Sequence, residues 1–119
     1  MNERLEPCER IRRKKDFIGL YKQGHRYRGR YFNLVYLPSS AGISRVAVVA
    51  SRKVGGAVER NRIKRWLREA FRMNKGLIEE PTDILVIARP DIQRAERTEV
   101  FTAYTAAVGK IFEKRQPAS

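Results

Sequence analysis

One cysteine, one histidine and one tryptophan are all that this 119-residue chain carries of those three types. Cys8 alone cannot build a disulfide framework or a CxxC knuckle, and adding His25 still leaves fewer than the four ligands of a structural zinc site. Cys8 therefore reads as a free thiol and His25 as a solvated imidazole, in a reducing, intracellular setting. Acidic residues are also scarce, 13 Asp and Glu against 26 Lys and Arg. Asp16, Glu59, Glu69, Asp83, Asp91 and Glu99 stand apart from one another, and no DxD, HExxH, GxSxG or phosphate-loop pattern occurs. Gly55-Gly56 lacks the further glycines and the Lys-Ser/Thr of a phosphate loop. No catalytic residue and no metal ligand is assigned, so the reacting groups of any reaction are expected on a partner. No run approaches the roughly 20 apolar residues of a membrane span. Residues 1–13 are too charged for a secretory h-region. The expected location is the cytoplasm, with no membrane association.

What is abundant is positive charge. The formal net charge of +13 repels itself in a folded domain unless a polyanion neutralises it. Nucleic acid is the leading partner and an anionic membrane surface the second. The length suits one domain with a modest core. Residues 1–119 are read as a single RNA-binding domain, with 1–10 a mobile or loosely docked lead and 116–119 flexible.

Apolar spacing predicts the elements. Phe17, Leu20 and Tyr21 form one stripe of a short helix over 12–23, with Gly24 as a left-handed terminator. The run 24–29, GHRYRG, reads as a basic turn. A first strand over 31–37 alternates Phe32, Leu34 and Tyr36 with Tyr31, Asn33 and Val35, and the polar Asn33 marks its face as the less covered one. A second strand over 45–51 is expected to pair with the first as a hairpin across PSSAG. One face of it carries Ala47, Val49, Ser51 and Lys53, mostly small residues that leave room for a ligand, with Lys53 at the exit offering a cation. Residues 83–88, DILVIA, form a strand covered on both faces, 89–97 a polar loop, and 98–114 an amphipathic helix that Thr98 could cap. The element order is α-β-β-α-β-α, an α/β (α+β) single-domain sandwich with one sheet covered by helices. Its β-α-β unit would ordinarily cross over right-handedly.

The most informative stretch is 51–72, where Arg52, Lys53, Arg60, Arg62, Lys64, Arg65, Arg68 and Arg72 face only Glu59 and Glu69. Its long helix, starting between 56 and 60 and ending before Gly76, puts Ile63, Trp66, Leu67, Ala70 and Phe71 on one side. Asn61, Lys64, Arg65, Arg68 and Arg72 lie on another. Like charges on adjacent turns cost a few tenths of a kcal/mol per pair. Phosphates would more than offset this through counterion release and bidentate guanidinium contacts. The bland alternative is a solvated cationic face. Phe17 and Tyr21, beside cations, are the ingredients of a single-strand stacking site, or else plain core.

As a string, KVGGAVERNRIKRWLREAFR at 53–72 resembles the Arg-Asn-Arg signature of the protein subunit of bacterial ribonuclease P. KKDFIGLY, RGRYFNLVYL, RVAVVASRKVG and DILVIARP support the resemblance in the same order along nearly the whole chain. The resemblance implies a left-handed β-α-β crossover, as in part of a ribosomal small-subunit protein and a translocase domain. It also implies a subunit that joins a large catalytic RNA to remove the 5′ leader of precursor tRNA. Mg2+ would be held mainly by RNA, and no obligate protein partner is implied. Arg60, Asn61, Arg62, Lys64, Arg65 and Arg68 would face the catalytic RNA. Phe17, Tyr21, Tyr31, Asn33, Val35, Ser51 and Lys53 would line the leader cleft. Gly56 stands where the family usually has Asn, and Val35 where some members carry a cleft tyrosine. The rival readings are a non-catalytic ribosomal or assembly RNA-binding protein on the same fold, and an RNA-independent nuclease.

Overall fold

The structure, a computed structural model, describes residues 7–113. Helix α1 is Lys14–Gln23, and strands β1, β2 and β3 are His25–Arg28, Phe32–Pro38 and Arg45–Val49. Helix α2 is Ala57–Met73, β4 is Thr82–Ala88 and α3 is Arg97–Glu113. The mixed α and β domain is thus one four-stranded sheet with three helices, and it has one strand more than the sequence suggested.

The sheet order is β1-β2-β4-β3. Strand β4 runs antiparallel to β2 and parallel to β3. The expected hairpin between β2 and β3 is therefore wrong, because β4 lies between them. Its near-continuous apolar run favours a position with neighbours on both edges and cover on both faces, where every residue of β4 except Ile87 is buried. The loop 39–44 skirts the start of β4 instead of reversing directly. The Ser39 amide donates to the Pro81 carbonyl (3.0 Å) and the Thr82 amide to Ser44 Oγ (3.1 Å).

The run read as a basic turn is the edge strand β1, whose alternating His25, Arg26, Tyr27 and Arg28 pair antiparallel with β2. Charged side chains on an edge also discourage pairing with another chain. Gly24 does not end α1 in a left-handed conformation, since its φ is −67°. The residue has to be small: a Cβ there would sit 2.5 Å from both the Leu20 carbonyl oxygen and Val35 Cγ1. Helix α2 likewise stops short of Gly76. Asn74 closes it, its side-chain amide donating to the Ala70 carbonyl (2.8 Å).

Two layers pack on the sheet. Leu34, Val46, Ile84 and Val86 meet Ile63, Leu67, Ala70 and Phe71 of α2 and Val100, Tyr104, Ala107 and Val108 of α3 in the main core. Each large side chain buried there contributes about 1.5–3 kcal/mol. On the opposite face Val35, Ala47 and Leu85 are sealed by Leu20 of α1 and by Ile11. Ile11 follows the 1–10 lead, whose described part, 7–10, is docked rather than loose. A 3-10 turn spans Pro7–Glu9, Arg10 bridges to Val46 beside β3, and the Ile11 amide donates to the Val46 carbonyl (3.0 Å). Residues 1–6 and 116–119, also read as mobile, lie outside the described residues. The loop after β4 is not merely polar, since its 3-10 turn Pro90–Arg94 buries Ile92, and Ala95 follows it into the core. Helix α3 starts at Arg97, and the Glu96 amide donates to Glu99 Oε1 (2.9 Å), so the capping group is Glu99 rather than Thr98.

Candidate nucleic-acid interface

Helix α2 gets its direction from the glycine pair. Gly55 takes φ +149°, a conformation few other residues adopt, and a Cβ there would lie 2.9 Å from Glu59 Cβ. Gly56 is at φ −73° and donates its amide to Glu59 Oε1 (3.0 Å), so positive φ is used at Gly55 and not at Gly56. Glu59 also places a negative charge at the positive end of the helix dipole.

Along α2, Asn61 and Arg65 are exposed, while Arg60, Lys64, Arg68 and Arg72 are half-buried. Arg62 lies with its guanidinium 5.3 Å from the centroid of the Trp66 ring. That stacking holds it against the half-buried tryptophan rather than out in solvent. Arg65, with 67 % of its side chain accessible, has Glu69 only at 3.9 Å, and Glu69 is closer to Arg97 at 3.0 Å. An exposed pair of that length contributes a few tenths of a kcal/mol, so Arg65 stays available to a phosphate. Burial, and then the nearby charge of Arg10, lower the pKa of Arg68. Two like charges brought together in a half-buried setting favour an anion between or beside them.

The second surface is the sheet face opposite α2. Pairing puts Arg28, Asn33, Ile87 and Val49 in one row across all four strands. The neighbouring row, Val35, Leu85 and Ala47, is buried under α1. Phe17 packs half-buried on that cluster and Tyr21, one helical turn on, is 49 % exposed. Beyond β3, exposed Ser51 and Lys53 sit in a short turn where Ser51 Oγ accepts from the Lys53 amide (3.3 Å). Asn33 thus lies in the row and Phe17 beside it on α1, with Tyr21 one turn further along that helix, while Ser51 and Lys53 follow the end of β3 that carries Val49.

Two other expected cleft residues are covered. Val35 is 1 % exposed beneath α1. Tyr31 precedes β2 and does not follow its alternation; it packs in the main core, with its hydroxyl donating to Glu99 Oε2 of α3 (3.4 Å) and Arg30 over its ring. Residues missed from sequence are Ile87, Arg26 and Arg28 of the open face, whereas Val49 lies on the face of β3 expected to leave room for a ligand. An Arg-x-Arg alternation at an edge was the available signal. Also missed was the ionic link that seats α1. Arg45 Nε and Nη2 bond Asp83 Oδ1 (2.9 Å) and Oδ2 (2.7 Å), and Nη1 reaches Asp16 Oδ2 (3.5 Å). The Asp83 hydrogen bonds, chiefly, raise the Arg45 pKa. An acid inside the apolar run of β4 was the signal for a buried partner.

The family model for ribonuclease P matches residues 5–112 of this chain. The chain belongs to the ribonuclease P protein family. The ribonuclease P protein component of Thermotoga maritima is 38 % identical over 103 residues, covering 86 % of this chain and 88 % of that protein. Solved structures of ribonuclease P proteins from Thermotoga maritima and Staphylococcus aureus match with TM-scores of 0.77 and 0.79, at 34 % and 31 % identity. They cover 86 % and 88 % of this chain, and 96 % and 95 % of theirs. In this ribonuclease P family member the basic ridge and the open sheet row are separate surfaces on opposite sides of the sheet, since α2 packs on the face away from the row.

Proposed function

We propose that the chain is the protein subunit of a cytoplasmic ribonuclease P ribonucleoprotein, which binds the catalytic RNA through α2 and the single-stranded 5′ leader of precursor tRNA across the open sheet row. The carrying observation is that row, Arg28, Asn33, Ile87 and Val49, a strip of the sheet next to the cluster on which Phe17 packs and on the face away from α2. Single-stranded RNA takes stacking surfaces beside a cationic track, whereas folded RNA takes a rigid ridge of donors. Holding both at once makes leader capture intramolecular, which raises its effective concentration.

Endonucleolytic hydrolysis to give the mature tRNA 5′ end is assigned to the RNA, with Mg2+ held mainly by RNA and substrate. This chain's residues do not fit a metal site: among those described, no three His, Cys, Asp or Glu converge, and Asp16 and Asp83 are both engaged by Arg45. The protein's contribution is to bind, orient and lower repulsion between two polyanions.

The test is the affinity of the assembled ribonucleoprotein for precursor and mature tRNA. Phe17→Ala is expected to weaken precursor binding by about 1–3 kcal/mol, the worth of one stacked base, and to leave mature tRNA binding unchanged. Equal losses for both ligands would return Phe17 to a purely packing role.

A further inference from the structure

Strand β1 extends the open face to an edge where a cation stands uncommitted. The row Arg28, Asn33, Ile87, Val49 crosses three strand spacings, about 14 Å at roughly 4.8 Å each. At the β3 margin the chain continues into Ser51 and Lys53, and at the β1 margin the row ends on Arg28. Arg28 is exposed and makes no ion pair among the described residues. Its neighbour on the same face, Arg26, is committed elsewhere: its Nη2 donates to the Tyr21 carbonyl (3.0 Å) and ties β1 to the end of α1. Between them lies a pocket of about 90 Å3 lined by Arg26, Arg28, Asn33, Val35 and Ile87 together with Tyr27 and Leu34. There Asn33 Oδ1 is buried without a hydrogen-bond partner.

The ordinary explanation of an edge arginine is protection against strand pairing, which any charge in any orientation supplies. Arg28 does more than that requires. It sits on the one face of β1 that continues the uncovered row, beside a polar atom left unsatisfied. The row ends on exposed Arg28 at the β1 margin and on Val49 of β3 at the other, from which the chain runs on to exposed Lys53, so a strand lying across the sheet passes between two cation-bearing margins.

We propose that β1 is part of the single-strand site, with Arg28 taking a backbone phosphate of RNA that crosses the row from Lys53. The inference rests on the leader-binding reading above. It makes the site longer than its aromatic residues indicate, and predicts that leader affinity grows in a final increment once the leader reaches β1.

The experiment is a leader-length series of precursor tRNAs bound to the assembled ribonucleoprotein, with wild-type protein and with Arg28→Ala, Arg28→Lys and Phe17→Ala. For leaders too short to cross the row, Arg28→Ala should bind as wild type does. For longer leaders it should be weaker, with a salt slope lower by about 0.7, so that the wild-type advantage shrinks about threefold between 50 and 200 mM salt. Arg28→Lys should restore most of the slope. If Phe17→Ala lowers leader-dependent binding but Arg28→Ala matches wild type at every length, the β1 site is overturned and the cleft survives. If Arg28→Ala loses affinity equally without any leader, the residue acts elsewhere and the proposal also fails. If neither variant changes leader-dependent binding, the leader-binding reading itself falls.

Discussion

Replacing Asp83 by alanine should be among the most damaging single changes to the fold, although no ligand touches it. Asp83 is 5 % exposed and bonds Arg45 through both carboxylate oxygens, at 2.9 and 2.7 Å. The Arg45 side chain is 13 % accessible, and without Asp83 its remaining acid is Asp16 at 3.5 Å. Breaking a buried pair from one side strands the other charge and costs about 3–5 kcal/mol, against about 0.2–1 kcal/mol for an exposed pair. With both side chains largely covered, the loss should lie toward the buried end, at about 2–4 kcal/mol, moderated by what Asp16 retains. Asp16→Ala removes one long contact and should cost under about 1 kcal/mol. Urea unfolding followed by the fluorescence of Trp66, the only tryptophan, reports both. The midpoint should fall much further for Asp83→Ala, with the slope unchanged. Replacing both partners, Arg45→Met with Asp83→Leu, should be less costly than Asp83→Ala alone. A loss below about 1 kcal/mol for Asp83→Ala, or a larger one for Asp16→Ala, would refute the view that Arg45 is a desolvated charge held by Asp83.

Tyr104 offers a change in the opposite direction. Its hydroxyl is buried without a hydrogen-bond partner among the described residues, and burial pushes its pKa above the usual tyrosine range. Tyr104→Phe should stabilise the protein by about 1 kcal/mol, because an unsatisfied buried hydroxyl is lost; destabilisation by as much would mean that the hydroxyl is bonded. The sign of the pH effect follows from the raised folded pKa. The wild type is favoured below the unfolded value of about 10 and loses stability as pH rises above it, since only the unfolded chain can readily ionise. Tyr104→Phe should lack that part of the alkaline decline. On the other surface, Arg65→Ala should lower the salt slope for binding the catalytic RNA by about one unit and leave the leader-length dependence intact; an unchanged slope removes Arg65 from the phosphate contacts.

Elements whose identity rests on local periodicity were legible from residues alone. Ile63, Leu67, Ala70 and Phe71 specify α2 to within a residue or two, and Val100, Tyr104, Ala107, Val108 and Ile111 do the same for α3. Strand β4 was equally plain, and its expected double cover holds except at Ile87, which lies on the open row. Pairing was not legible, because β2 and β3 carry no residue that says whether a third strand comes between them; that depends on where the most apolar strand is best buried. Four residues of alternating charge between glycines, His25 to Arg28, looked like a turn because an edge strand needs no apolar face. Tyr31 was misplaced for a geometric reason. The alternation rule holds only inside a strand, and Tyr31 lies one residue before β2, where the chain is still arriving from Gly29. The basic ridge could be read residue by residue on a helical wheel, but the turning of Arg62 onto Trp66 depends on side-chain packing that a wheel does not show.

The most direct measurement is cleavage of precursor tRNA by ribonuclease P RNA at low Mg2+, with and without this protein. A ribonuclease P protein subunit is expected to stimulate release of the 5′ leader there, with no cleavage by the protein freed of RNA. Absence of stimulation would contradict the proposed function and favour an RNA-binding module on the same fold. Cleavage by the protein alone would contradict the assignment of chemistry to the RNA.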